Sequence, residues 1–259
     1  MKQRQNLSQL RAAKKYCDVS LRLEGETFYC HRVLLASMSP YFDKLFDGKI
    51  SGSVYEIIVP NIDATTFKEI LRFAYTGFWF LPHYNEDVVH NIVGIDRFLE
   101  PADRLIVRKS EAAALVKLHQ KLDSFRLYGG RYCDLHVRID GTTFKCHRVV
   151  LAAFSDYFET KFRVIPQGKV ERRTFQNIDP LAFQEILKFA YSGFLPDLVE
   201  DNIPRLLNIS DQLEATVVNE HCFSYIQSHL SSGWFENPAR VVEMLRIARF
   251  KKKTSLVKS

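Results

Sequence analysis

Two short constellations in this chain bring together residue types that do chemistry: Cys17-Asp18 with Cys30-His31-Arg32, and Cys133-Asp134 with Cys146-His147-Arg148. A cysteine near an imidazole suggests a nucleophile and its base. That chemistry also needs a group to orient the base and donors for a developing oxyanion, and neither is visible in the sequence. Adjacent Cys-His pairs are poorly spaced to supply two ligands to one tetrahedral zinc, whose ligands along a chain are normally separated by two or more residues. Glycine-rich phosphate loops are absent. The remaining reading makes the cysteines small buried apolar groups and the acid and base an ion pair. No catalytic residue, metal ligand or cofactor site is expected.

The elements needed to hold such a pair are legible. Val19, Leu21 and Leu23 alternate with Ser20, Arg22 and Glu24, Glu24-Gly25 turns the chain, and Thr27 to Cys30 runs back. This is the pattern of a β-hairpin with one buried face. Counting back from the turn places residue 18 opposite about residue 31, so Asp18 and Arg32 can meet. Leu135, Val137 and Ile139, with Asp140-Gly141 as the turn, repeat the arrangement for Asp134 and Arg148. An apolar helical turn follows at Val33, Leu34 and Leu35. Ser39-Pro40 then offers an N-cap oxygen and an N1 proline for a second short helix carrying Tyr41, Phe42, Leu45 and Phe46. Val54 to Val59 is rich in strand formers. Asp63 caps a helix whose Phe67, Ile70, Leu71 and Ala74 share one face and which Gly77 ends. Further helices are expected over 85–99 and 199–213.

A single offset of 116 residues aligns the two constellations and continues far beyond them. Gly25, Phe28, Leu35-Ala36 and Tyr41-Phe42 meet Gly141, Phe144, Leu151-Ala152 and Tyr157-Phe158. Asn61-Ile62-Asp63 and Phe73-Ala74-Tyr75 meet Asn177-Ile178-Asp179 and Phe189-Ala190-Tyr191. Beyond Phe78 the offset slips to 114, as a loop differing by two residues would produce. Repeats of this length are domains with their own cores, not turns of a solenoid. The expected organisation is one domain over 1–122 with its core at 16–100, a second over 123–230 with its core at 132–230, and a helical, basic segment over 231–259.

The formal charge of +6 raises the question of nucleic acid. Seven basic and two acidic residues fall within 231–259, leaving the preceding 230 residues near +1. A basic end on a nearly neutral body is the signature of a solvated tail, not of a phosphate-binding face, although Lys251-Lys252-Lys253 is a candidate basic signal. No stretch approaches the roughly 18 consecutive apolar residues of a membrane helix, and no apolar leader follows Met1. Five cysteines, four of them recurring as equivalent pairs, suit a reducing compartment. An intracellular protein, cytoplasmic or nuclear, is expected.

The strings Cys17-Asp18-Val19, Phe28-Tyr29-Cys30-His31-Arg32-Val33-Leu34-Leu35-Ala36 and Phe73-Ala74-Tyr75-Thr76-Gly77, with their twins from Cys133, Phe144 and Phe189, resemble the BTB/POZ domain. The resemblance implies an α+β fold in two tandem copies, each a cluster of short helices flanked by short strands. It implies a scaffold or adaptor that binds proteins through dimerisation surfaces, with a homodimer or a pair formed within one chain as the alternatives. Asp18, Arg32, Asp134 and Arg148 correspond to a charged pocket beside the dimer interface; the competing reading is an internal pair that orients the helix start. Kelch-like members of the family also serve cullin ubiquitin ligases through a hydrophobic-x-Glu motif after the second short helix. Phe46 with Ile50, and Phe162 with Ile165, occupy the matching places, but Ile50-Ser51-Gly52 and Ile165-Pro166-Gln167 lack the glutamate. The segment from Gly233 to Lys253 resembles the first helices that follow the domain in kelch-like adaptors. A nuclear regulator using the basic tail is the alternative function.

Overall fold

The structure is a computed structural model that describes residues 2–48, 55–59, 63–77, 111–162, 170–193, 198–199 and 201–230. The expected helix at 85–99, Ile50, Ile165, the segment 231–259 and its Lys251, Lys252 and Lys253 lie outside these residues.

Copy one begins with helix α1 (Lys2–Ala12), followed by strands β1 (Val19–Leu23) and β2 (Glu26–Cys30). The hairpin register is Val19 opposite Cys30 and Leu23 opposite Glu26. Its two turn residues, Glu24 and Gly25, both have positive φ (46° and 85°), as a two-residue turn matching the strand twist requires. Helices α2 (Arg32–Met38) and α3 (Pro40–Phe46) carry the chain across to β3 (Tyr55–Ile58), which pairs parallel to β1 on its other side. The sheet order is therefore β2-β1-β3. Helix α4 (Ala64–Thr76) closes this half; Asp63 Oδ1 accepts from the Thr66 amide at 2.7 Å, and Gly77 ends it in the left-handed conformation.

Copy two repeats the plan with α5 (Glu111–Leu127), β4 (Leu135–Ile139), β5 (Thr142–Cys146), α6 (Arg148–Phe154), α7 (Asp156–Phe162), β6 (Glu171–Thr174) and α8 (Pro180–Ser192). Its sheet order is β5-β4-β6. Helices α9 (Ile203–Gln212) and α10 (Thr216–Leu230) follow, so the helix expected over 199–213 is four residues shorter at its start. In both copies the inward face of the sheet meets the helices through edge-on aromatic contacts. Phe28 packs on Phe67 at 5.1 Å between ring centroids, and Phe144 on Phe183 at 5.2 Å.

The expected boundary between copies falls within a helix. A division at 122/123 cuts α5, a continuous helix. Helix α5 is the counterpart of α1: Arg11 and Arg126 each stand over the equivalent tyrosine, Tyr75 and Tyr191, at 5.2 Å. The helix thus stands in the second copy where α1 stands in the first.

The two copies are packed against one another reciprocally. Helix α1 lies between α4 of its own copy and α6 of the other, while α5 lies between its own α8 and α2 of the first. Leu7 and Leu10 of α1, and Leu118, Leu122 and Phe125 of α5, are buried there. Both copies thus contribute to one continuous apolar core.

Candidate functional interface

Helix α2 begins without a side-chain cap, because His31 at its N-cap makes no such bond. Asp18, brought alongside by the hairpin, supplies the missing acceptor. Its Oδ1 accepts from the Arg32 amide at 2.7 Å and its Oδ2 from Arg32 Nε at 2.9 Å. Asp134 does the same for the Arg148 amide and Nε at 2.7 and 2.8 Å. The carboxylate satisfies a free helix amide and neutralises a buried guanidinium in one contact. Arg32 and Arg148 are each only 3% exposed.

The arginines face the other copy as well. The Arg32 guanidinium carbon stands 5.6 Å from the ring centroid of Tyr132, and that of Arg148 5.9 Å from Tyr16. Each of these tyrosines continues the contact across the junction. Tyr132 Oη donates to Asp43 Oδ1 at 2.7 Å, and Tyr16 Oη donates to the Glu159 carbonyl at 3.2 Å. Beside them, Arg131 pairs with Asp43 at 3.0 Å and Lys15 with Glu159 at 2.5 Å. Asp43 and Glu159 are themselves separated by the repeat offset, so the junction has a pseudo-twofold arrangement. Helix α1 adds polar contacts, with Asn6 Nδ2 donating to the Ala153 carbonyl at 2.9 Å and Gln3 Nε2 to the Ala190 carbonyl at 2.7 Å. The Asp18–Arg32 ion pair orients the start of α2, and its arginine borders the junction with the other copy.

Phe46 and Phe162 lie at this junction, which corrects their expected role. Each is 1% exposed. Their rings meet Tyr132 at 6.5 Å and Tyr16 at 6.4 Å, both edge-on. A side chain buried between the copies cannot reach an external cullin scaffold without separating them.

The Cys-His chemistry is closed by the same packing. Tyr75 Oη accepts from the His31 amide at 3.0 Å and lies 2.7 Å from Nδ1, while Nε2 lies 2.9 Å from the Lys15 carbonyl. A carbonyl only accepts, so Nε2 carries the proton and Nδ1 receives the tyrosine hydroxyl. The nitrogen nearest Cys17 Sγ, at 3.8 Å, is therefore a donor and has no lone pair to take the thiol proton. Burial pushes the Cys17 and Cys133 thiols up to about 12, with the adjacent Asp18 and Asp134 carboxylates acting in the same sense. Burial also holds both imidazoles below the usual histidine range, against the opposing hydrogen bonds to the carbonyls of Lys15 and Arg131. Each histidine is a strut joining the linker before the hairpin to the helix bearing Tyr75 or Tyr191.

The N-terminal helices and these tyrosine struts were not anticipated from sequence. The signals were present in the Phe-Ala-Tyr string and in the apolar spacing of Leu118, Leu122 and Phe125. Among the described residues no group of three His, Cys, Asp or Glu is placed to hold a metal ion, and no helix is long and apolar enough to cross a membrane.

Comparison with known proteins extends these observations. The chain is 30% identical over 188 residues to Kelch-like protein 28 of Mus musculus, covering 72% of this chain and 30% of that protein. It is 32% identical over 118 residues to Kelch-like protein 21 of Danio rerio, covering 45% of this chain and 18% of the relative. The chain therefore spans less than a third of the length of these curated relatives. Among solved structures, the BTB domain of zebrafish PATZ1 aligns with 31% identity and a TM-score of 0.40, over 45% of this chain and 94% of that one. The family model for the BTB/POZ domain matches residues 7–118 and again 122–230. Carrying that match twice, over most of its length, the chain belongs to the BTB/POZ domain family.

Proposed function

We propose that this chain is a non-catalytic protein-interaction adaptor whose two BTB domains pair with each other, and that it brings partner proteins to a cullin-type ubiquitin ligase. The observation that carries the reading is the reciprocal junction, in which α1 reaches α6 while α5 reaches α2. A second copy of the chain would have to displace a partner held at the effective concentration of a covalent link. The kelch-like relatives support the ligase assignment, and the five buried, free thiols suit a cytoplasmic or nuclear setting. With Phe46 and Phe162 enclosed, a cullin would have to be met by other residues. Light scattering on the 259-residue chain tests the pairing: a mass of 30.1 kDa that holds as concentration rises is expected, and twice that mass would overturn it. Affinity purification from cells tests the ligase; absence of any cullin from the bound fraction would remove that part alone.

A further inference from the structure

The two sheets share a topology but present different chemistry to solvent. In copy two, Leu135, Val137 and Ile139 face the core, which turns His136 and Arg138 outward. On β5, Phe144 and Cys146 face inward, so Thr143 and Lys145 share the outward face. The register sets Lys145, His136 and Arg172 in one row across three strands, with Thr143, Arg138 and Thr174 in the next. Lys145, Arg138 and Arg172 are exposed, and among the described residues none has an acidic partner. Lys145 otherwise donates to the Gly129 carbonyl at 3.4 Å. The groups sense each other, since Arg172 and Lys145 add to burial in lowering the affinity of His136 for a proton. The same rows in copy one hold Tyr29, Ser20 and Glu56, then Thr27, Arg22 and Ile58. There the single arginine is answered by Glu56 at 3.7 Å.

We propose that the outward face of the β5-β4-β6 sheet is a docking site for an acidic, extended segment of a partner protein. Strands about 4.8 Å apart and alternate residues about 7 Å apart make a cationic field of about 10 by 7 Å. An extended peptide repeats its like-facing side chains at about 7 Å, so two or three carboxylates meet the field at once. Duplex DNA fits less well: a salt-sensitive complex there rests on about 6 to 10 phosphate contacts, more than this face offers. The site stands apart from the pairing junction and goes beyond the ligase assignment, so it is independent of both.

Fluorescence anisotropy with a labelled Glu-rich octapeptide, and with its Gln-for-Glu counterpart as control, tests the site on the 259-residue chain. The acidic peptide is expected to bind, to weaken steeply with salt, and to lose at least tenfold in affinity with Arg138→Glu and Arg172→Glu combined. Arg22→Glu in copy one is expected to leave binding unchanged. Arg172→Gln provides a milder arm should the charge reversals disturb the fold, with a smaller loss in the same direction. No binding of the acidic peptide, equal binding of the Gln peptide, or binding indifferent to Arg138 and Arg172 would overturn the proposal. Tighter binding of DNA that is lost with the same variants would overturn the choice of a protein partner.

Discussion

Lowering the pH from 7 to 5 should loosen this protein before its carboxylates titrate, with His119 responsible for a measurable share. His119 sits on α5, where Nδ1 bonds the Ser192 carbonyl at the end of α8 at 2.8 Å. Burial, assisted by the nearby Arg4 guanidinium, pushes its imidazole down to about 4 from an ordinary 6.5. The unfolded chain therefore binds a proton between pH 6.5 and 4 that the folded chain refuses, and stability falls as pH falls through that window. The full difference is about 3 kcal/mol, of which about 2 kcal/mol is lost between pH 7 and 5. His31 and His147, buried and likewise shifted down, act in the same direction. Urea unfolding at pH 7, 6 and 5 measures the loss. His119→Gln keeps an amide donor for the Ser192 carbonyl and should remove about 2 kcal/mol of the pH dependence while sparing the histidine struts. Arg4→Gln should reduce it more modestly by removing the second cation. A flat stability from pH 7 to 5, or a His119→Gln variant with the full wild-type slope, would refute the reasoning.

Asp18→Asn and Asp134→Asn leave an acceptor for the helix amide but take the carboxylate charge from beside a guanidinium that is 3% exposed; each should cost about 2 kcal/mol in denaturant unfolding, less than a fully buried pair because the carboxylates are partly exposed. Unchanged midpoints in both would count against the ion pair. Tyr132→Phe removes the hydroxyl that reaches Asp43 from the other copy and should cost about 1.5 to 3 kcal/mol, as hydrogen bonds to charged groups do. Wild-type stability for this variant would show that the junction does not rest on that bond. An aromatic disulfide reagent at pH 8 should leave the thiols of the folded protein untouched and titrate them on unfolding, since burial places Cys17, Cys133 and Cys222 at about 12; rapid labelling of Cys133 in the native state would contradict this.

The described residues of 16–77 and 132–193 were legible because their structure is specified locally. Alternation fixes the faces of β1 and β4, Asp63 and Asp179 declare helix starts, and Gly77 and Gly193 mark the ends. The pairing of Asp18 with Arg32 followed from counting through a two-residue turn. Helices α1 and α5 were harder to read. Helix α1 is mostly polar, with Leu7 and Leu10 as its buried apolar residues, a pattern too short to establish a period. Its kinship with α5 was hidden by a one-residue change of register, Arg11 matching Arg126 at an offset of 115 where the hairpins match at 116.

Caps, turns and periodicities are properties of neighbouring residues, so the fold of each half, the duplication and the family are written in the order of amino acids. Tertiary structure alone decided what the two halves do to each other. Lys15 meeting Glu159, Tyr132 meeting Asp43, and the enclosure of Phe46 and Phe162 depend on how two complete surfaces fit. No local pattern encodes a contact between residues more than eighty positions apart. The same holds for the cationic face on the second sheet, whose members come from three strands and form a row only once the register is set.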